Sequence, residues 1–242
     1  MSTIDFDELI IVDDEKIGRE MGLSIADDLD IPARAITGKY RSVDQLLAEV
    51  MKDHTNIGVL CDHKLMPGAL ANFYGSELVA GLYKQNIPAV LVTQYADNEM
   101  ETSIREFRRW MPALITRKKL DEENVKKAFK FCSDELSGII PASRIPHRTL
   151  VEITSSKKDN EPGVAEAIIR GWNHKKRIGF PITLMPLNIK DRVLQSLADK
   201  NRAFVFADVN IGAARASELY FESFEWAEKP RNLTIDSLFN KP

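Results

Sequence analysis

The 242-residue sequence has no long hydrophobic run and very few cysteines. No stretch approaches the roughly 18 consecutive apolar residues that a membrane-spanning helix needs. The first residues include acidic side chains and lack the basic and then apolar order of a secretory leader. Two cysteines, Cys61 and Cys132, do not make a disulfide framework. These absences favour a protein of the reducing cytoplasm, and we expect no membrane partner.

The chain also has no large excess of charge and no familiar nucleotide, metal or DNA motif. Its formal net charge of −3 gives no general case for binding nucleic acid. No glycine-rich phosphate loop joins a strand to a helix, and the histidines do not show the spacing of zinc ligands. The C-terminal part lacks the helix-turn-helix pattern of common DNA-binding regulators. Function must therefore be sought in the side chains that the fold brings together.

What the sequence does have is four short apolar runs that each end in a reactive polar group. The runs end at Asp13-Asp14, at Asp62, at Thr93 and at Arg117-Lys118. Short runs of this kind between helical stretches are typical of buried strands in a parallel sheet. Ligands of such sheets bind beyond the carboxyl ends of the strands. The sequence thus predicts one crevice that holds three carboxylates, a hydroxyl and a cation.

The first half of the chain alternates five predicted strands with five predicted helices. The strands are predicted at 9–12, 33–36, 57–61, 89–92 and 113–116, and the helices at about 16–29, 43–53, 74–85, 98–110 and 121–136. A strand-helix alternation of this length predicts an α/β fold with a doubly wound parallel sheet.

The pattern changes at Gly138, where prolines and polar residues predict a linker over 138–148. Beyond it the hydrophobic period shifts towards two. Strands are predicted at 149–154, 165–169, 178–184, 203–209 and 221–226, with a short helix at 188–197. We therefore expect one domain over 1–137 and a small β-rich domain over 149–242, for which a partly closed barrel is one arrangement.

The predicted crevice has the chemistry of a site for a divalent metal and a phosphoryl group. Asp13, Asp14 and Asp62 offer the oxygen ligands that Mg²⁺ prefers. A carboxylate beside such a metal can attack phosphorus and form an aspartyl phosphate. A strand-end cation, Arg117 or Lys118, would help to neutralise the charge that develops.

In these residues the chain resembles the receiver domain of bacterial response regulators, over about residues 7–136. The resemblance is carried by Val12-Asp13-Asp14-Glu15, Cys61-Asp62 with the loop to Met66-Pro67-Gly68, Leu91-Val92-Thr93 and the basic group after Ile115. It implies a flavodoxin-like (βα)5 fold in which Asp62 is the phosphoacceptor and Thr93 moves towards the phosphoryl group. It also implies Mg²⁺ bound directly by Asp14, largely through water by Asp13, and by the backbone carbonyl of Lys64.

The resemblance implies partners as well. A histidine kinase or other phosphodonor would supply the phosphoryl group, the domain would catalyse its own phosphorylation, and the C-terminal domain would contact an output protein. The predicted fourth helix and fifth strand would form a dimerisation or docking face that carries Arg105, Arg108, Arg109 and Trp110. A solvated helix with a buried tryptophan edge is the alternative for this surface.

The chain departs from the receiver pattern in its loop, in its strand-end cation and in its switch residue. The family has a lysine as the strand-end cation, whereas counting back from Leu120 places Arg117 there, with Lys118 one residue later. The loop from Asp62 to Pro67 is one residue longer than usual, which bears on the proposed Lys64 ligand. The aromatic residue expected before the strand-end cation is aliphatic, Leu114 or Ile115, and Tyr95 could take over part of its role.

Other interpretations remain open at this point. A degenerate receiver would keep the fold and act as an interaction module without phosphorylation. A phosphatase that uses an aspartyl phosphate would need a second Asp at position 64, where this chain has Lys64. A DNA-binding regulator could use 175–177 next to Trp172, although a hairpin turn with solvated charges is the favoured explanation of those cations. His63 either contacts the phosphoryl group or points away from it.

Overall fold

The computed structural model describes residues 6–52, 56–66, 70–94, 102–157 and 163–228. These residues form ten β-strands, five α-helices and several short 3₁₀ helices. They divide into two compact units, of which the first comprises the chain up to Ile145 together with Asn210–Tyr220. The second comprises the described residues of Pro146–Val209 and those from Phe221 to 228. Within the described residues, no helix is long and apolar enough to cross a bilayer.

The first unit is built on five parallel strands. They are β1 (Glu8–Val12), β2 (Ala33–Ala35), β3 (Ile57–Asp62), β4 (Ala89–Thr93) and β5 (Ala113–Thr116), in the order β2-β1-β3-β4-β5. The register pairs Cys61 with both Val12 and Leu91, so the carboxyl ends of β1, β3 and β4 lie side by side. This is the flavodoxin-like doubly wound order, and it confirms the predicted fold class.

Four α-helices cover the two faces of this sheet. They are α1 (Lys16–Asp28), α2 (Val43–Val50), α3 (Gly75–Lys84) and α4 (Glu122–Leu136). Ile25 of α1 and Phe129 of α4 share one apolar cluster, whereas Leu46 of α2 and Leu78 of α3 share the other. Two of these helices begin at a side-chain cap: Ser42 before α2, and Asp121 before α4, whose carboxylate accepts from the Asn124 N–H at 2.8 Å.

The predicted helix over 98–110 is the element that differs from expectation. The described part of it is a turn followed by a 3₁₀ helix over Arg105–Trp110, and residues 95–101, including Tyr95, lie outside the described residues. The segment ends at Met111, whose φ of −133° and ψ of 83° are not helical, because the ring of Pro112 disfavours a helical conformation in the residue before it. Arg105 and Arg108 are buried, so the prediction that they belong to an exposed docking face is wrong. Their guanidinium groups find acceptors outside the helix, which apolar periodicity does not reveal.

The second unit is an antiparallel sheet with one helix. Its strands are β6 (His147–Lys157), β7 (Val164–Ile169), β8 (Asn173–Pro181), β9 (Ala203–Val209) and β10 (Phe221–Trp226), in the order β10-β9-β6-β7-β8. The helix is α5 (Leu187–Ala198), which packs on β6 and β9. The helix and the other strands lie close to the ranges that the sequence predicts, whereas the third strand differs at both ends. It begins at Asn173 and not at 178, so the cations at 175–177 lie in a strand and the interpretation of them as a hairpin turn is wrong, and 182–184 form a 3₁₀ helix.

The second sheet is curved, so that its two edge strands come close to each other. Phe180 of the edge strand β8 stacks on Phe221 and Phe224 of the opposite edge strand β10, with ring centroids 4.7 and 5.6 Å apart. The described strands show no backbone pairing across this seam. Aromatic packing rather than a hydrogen-bonded ladder therefore holds the edges together.

The predicted domain boundaries of 1–137, 138–148 and 149–242 stay a prediction. The compact units change between Ile145 and Pro146, just before β6 begins. Asn210–Tyr220, which joins β9 to β10, packs as part of the first unit.

Candidate functional site

The carboxyl ends of the parallel strands surround one pocket of about 210 Å³. Its lining residues are Asp14, Glu15, Asp62, Lys64, Thr93, Gln94 and Arg117. They come from the turn after β1, from the end of β3 and the residues after it, from the end of β4 and from the 3₁₀ helix after β5. The sheet therefore brings the predicted carboxylates, hydroxyl and cation to one edge, as parallel topology requires.

Asp62 is held by two donors at the end of β3. Its Oδ1 accepts a hydrogen bond from Nη2 of Arg117 at 2.6 Å, and its Oδ2 accepts from the backbone N–H of Lys64 at 2.8 Å. Gly75 at the start of α3 packs against it, and a Cβ there would lie only 1.9 Å from the Asp62 carbonyl oxygen. A glycine at position 75 thus lets α3 begin close to this strand end.

Asp13 faces Asp62 across the same guanidinium group. Nη2 of Arg117 lies 2.7 Å from its Oδ2, while its Oδ1 accepts from the backbone N–H of Glu15 at 2.8 Å. A Cβ added at Gly18 would lie 1.9 Å from Oδ2 of Asp13, so the first turn of α1 must carry a glycine to admit this carboxylate. One nitrogen of Arg117 therefore bridges two buried carboxylates.

The electrostatics of the pair favour additional positive charge. Burial raises the pKa of Asp62 to about 6, the charge of Asp13 adds to this, and Arg117 and the Lys64 N–H oppose it. Burial likewise raises the pKa of Asp13. Burial acts to lower the pKa of Arg117, but the two carboxylates outweigh it and hold that pKa above its ordinary value. A single guanidinium thus leaves part of the negative charge uncompensated.

Two further predicted residues take different positions. Thr93 is buried at the end of β4, beside the pocket, whereas Lys118 is exposed on the 3₁₀ helix Arg117–Lys119. Of the two candidates for the strand-end cation, Arg117 is therefore the one that contacts the carboxylates.

The oxygen donors at this edge suit a hard cation such as Mg²⁺. Asp14, Glu15 and Asp62 line the pocket together with Lys64, whose carbonyl is the predicted backbone ligand. Within the described ranges, however, no three His, Cys, Asp or Glu side chains are grouped as they would be around a metal ion. Arg117 takes the position between Asp13 and Asp62. The donor chemistry therefore fits the metal, and Asp14 would have to join Asp62 to complete a site. Pro67 and Gly68, in the predicted loop, lie outside the described residues.

His63, which the sequence leaves open, points away from the pocket. Its side chain is fully buried, and its Nε2 lies 2.9 Å from Oγ of Ser103. The imidazole stacks on Tyr74 with 4.8 Å between ring centroids, and burial lowers the pKa of His63 to about 4. Neither Ser103 nor Tyr74 stands out in the sequence, because only the tertiary fold brings them to this ring.

Solved structures similar to this chain cover its N-terminal part. The signal receiver domain of an HD domain-containing protein from Pseudomonas fluorescens is 14% identical and matches over 55% of this chain and 91% of its own, with a TM-score of 0.42. A response regulator receiver domain protein from Clostridium thermocellum is 12% identical and matches over 55% of this chain and 98% of its own, with a TM-score of 0.42. A putative response regulator from Chloroflexus aurantiacus is 18% identical and matches over 52% of this chain and 98% of its own, with a TM-score of 0.41.

No protein-family model and no curated protein matches the chain. The strand order, the parallel register and the four helices identify the fold independently of these likenesses. The first unit has the flavodoxin-like doubly wound architecture, with a 3₁₀ helix in place of the described part of the predicted fourth α-helix.

Proposed function

We propose that the protein is a response regulator of a two-component phosphorelay, which accepts a phosphoryl group on Asp62. The observation that carries the proposal is the meeting of Asp62, Asp13, Thr93 and Arg117 at one edge of a receiver-type sheet. The donor would be a histidine kinase or a small phosphodonor in the cytoplasm. The second unit would pass the signal on by contacting an output protein.

The chemistry requires an ionised carboxylate and a neutralised transition state. An oxygen of Asp62 would attack phosphorus while the bond to the donor's leaving atom breaks, and the leaving group would take that electron pair. Arg117, already 2.6 Å from Oδ1, would stay bonded to the charged oxygens. The hydroxyl of Thr93 would donate to a phosphoryl oxygen once the group has arrived.

Mg²⁺ would be held by Asp14, Asp62 and the backbone carbonyl of Lys64, with Asp13 acting largely through water. When bound, it would supply the positive charge that Arg117 alone does not provide to the carboxylates.

A second candidate function is favoured by the Arg117 bridge. A guanidinium group already bonded to both Asp13 and Asp62 could act as a permanent internal cation. In that case the first unit would be a degenerate receiver that serves as a protein-interaction module. Neither a phosphatase nor a DNA-binding role has a comparable observation in its favour.

Intact mass separates the two candidates. The full chain is incubated with Mg²⁺ and a small acyl phosphate, and we expect a gain of one phosphate that is absent in Asp62→Asn. Asp134→Asn, a matched change on α4, should keep the gain because Asp134 does not line the pocket and pairs with Lys130 on its own helix. No gain in the parent protein with several donors would favour the degenerate receiver.

A further inference from the structure

An internal segment of the C-terminal half is built into the first unit. Asn210–Tyr220, here called the β9–β10 segment, leaves the second unit after β9 and returns to it at β10. Leu219 and Asn210 have no exposed surface, and Tyr220 is 1% exposed. The segment is therefore an integral part of the packing around the 3₁₀ helix Arg105–Trp110, and it connects directly to two strands of the other sheet.

Two buried arginines hold one end of the segment. Arg105 donates to the carbonyl oxygens of Leu219 at 2.8 Å and Ala216 at 3.1 Å, and Arg108 donates to that of Ser217 at 3.2 Å. Arg105 and Arg108 are only 3% and 5% exposed, so losing these acceptors would remove hydrogen-bond partners from buried guanidinium groups, and Arg108 would keep the Met111 carbonyl. Attachment of the segment and burial of the two arginines thus stabilise each other.

The rest of the segment is fixed by Asn210 and Tyr220. Asn210 donates to the Ser143 carbonyl at 2.8 Å and accepts from the Tyr220 N–H at 2.8 Å. The Tyr220 hydroxyl donates to the carbonyl of Arg144 at 2.5 Å. Arg144 in turn forms a buried pair with Glu135 of α4 at 2.9 Å. These contacts give the segment one defined position.

A chain of contacts connects Asp62 to the start of the same 3₁₀ helix. His63, the residue after Asp62, is bonded to Ser103, and Ser103 precedes Arg105 by two residues. The Ser103 carbonyl also accepts from the hydroxyl of Ser76 at 3.0 Å. Because Oδ2 of Asp62 is bonded to the Lys64 N–H, a change at this carboxylate acts on the backbone that carries the His63 ring.

We propose that the His63–Ser103 hydrogen bond couples the state of Asp62 to the attachment of the β9–β10 segment. An added phosphoryl group changes the hydrogen bonds of Asp62, shifts the backbone at 62–64 and loosens Ser103, and Arg105 then holds Leu219 and Ala216 less firmly. His63 and Ser103 are positioning residues in this scheme, since neither contacts the reacting atoms. The phosphoryl trigger rests on the function proposed above, whereas the coupling between Asp62 and the segment does not.

The coupling can be measured by amide hydrogen exchange of the β9–β10 segment in the full chain. We expect Ser103→Ala to raise exchange there about fivefold, the effect of one net hydrogen bond. Ser137→Ala, at the exposed end of α4, should leave it unchanged. With the acyl phosphate, exchange of the segment in the parent protein should rise together with the mass of the protein. In Ser103→Ala this phosphate-dependent rise in exchange should be less than half of that in the parent.

A double-variant cycle keeps the two proposals separate. Asp62→Asn in unmodified protein also removes the charge that Arg117 bridges, so it should alter exchange in the segment, and the alteration should largely vanish when Ser103→Ala is added. If the effects of the two changes are simply additive, the coupling is overturned even where the phosphate gain is observed. If the phosphate gain is absent but the cycle is non-additive, the proposed function fails and the coupling stands.

Discussion

At the scale of single residues, Arg117 organises the candidate site. One of its nitrogens reaches Asp13 and Asp62 at 2.7 and 2.6 Å, while the neighbouring Lys118 is exposed. The two carboxylates are 5% and 8% exposed, so neither has ample water to replace the guanidinium group. The strand-end cation is therefore structural as well as a candidate for phosphoryl binding.

Replacement of this cation should destabilise the first unit in a pH-dependent manner. Arg117→Ala should lower the free energy of unfolding at pH 7 by about 2–4 kcal/mol, since it leaves buried carboxylates unpaired. The loss should shrink near pH 5, because Asp62, with a pKa raised to about 6, then takes up a proton. Urea unfolding at both pH values measures this. Lys118→Ala is the matched control, and an effect as large as that of Arg117→Ala would contradict the assignment.

In the second unit, Glu152 is a buried carboxylate that bonds both Arg170 and Arg202. Burial acts to raise its pKa, but the bonds to Arg202 and Arg170 outweigh burial and hold the pKa below the ordinary value of 4.5. A carboxylate whose folded-state pKa is depressed stabilises the fold above its unfolded pKa and loses that contribution as pH falls through the folded one.

Glu152→Gln should therefore cost about 1–3 kcal/mol of unfolding free energy at pH 7. The difference in unfolding free energy between the variant and the parent protein should diminish only below pH 4.5, the ordinary pKa of a glutamate side chain. Urea unfolding from pH 7 down to pH 3 tests this, with Asp199→Asn at the exposed end of α5 as the control. A difference that is constant across the range would show that the pair with the arginines contributes nothing specific.

At the scale of secondary-structure elements, the 3₁₀ helix Arg105–Trp110 depends on partners distant in sequence. The side chains of Arg105 and Arg108 point inward because the carbonyl groups of Ala216, Ser217 and Leu219 accept hydrogen bonds from them. A lysine has one ammonium group and cannot reproduce the two-pronged geometry of a guanidinium. Arginine is thus required where two carbonyl groups are bonded at once.

Arg105→Lys should consequently weaken the attachment of the β9–β10 segment. We expect a loss of about 1–3 kcal/mol in the free energy of unfolding, since one carbonyl acceptor in a buried site loses its donor. Arg41→Lys, on the exposed surface of the first unit, should change it by less than about 0.5 kcal/mol. Urea unfolding compares the two, and equal values would mean that the forked contact has no energetic role.

The elements that could be predicted from the sequence are those specified locally. Strands such as Ile57–Asp62 are nearly continuous apolar runs, and α4 begins at its Asp121 cap. The hydrophobic pattern and the capping residue are therefore sufficient to predict these elements. The meeting of Asp13 and Asp62 followed from parallel topology alone. The inward direction of Arg105 and the partner of His63 could not be predicted, because the hydrogen-bond partners lie 114 and 40 residues away along the chain.

At the scale of the whole molecule, the chain combines two sheets of different kinds. The parallel sheet presents the ends of four strands to one pocket, whereas the antiparallel sheet joins its two edges through Phe180 and Phe221. The alternation of strands and helices, and then the shift of period, predicted this order. The assignment of Asn210–Tyr220 to the first unit was not predictable, because the segment lies between two well-formed strands of the second.

The most direct test of the account is to locate the modified residue in the full chain. After treatment with Mg²⁺ and an acyl phosphate, borohydride reduction would convert an aspartyl phosphate to homoserine, and peptide sequencing by mass spectrometry would find it. We predict homoserine at position 62, with Asp13 and Asp14 unchanged. An unreduced Asp62 in protein that has gained phosphate, or homoserine at another position, would contradict the central claim.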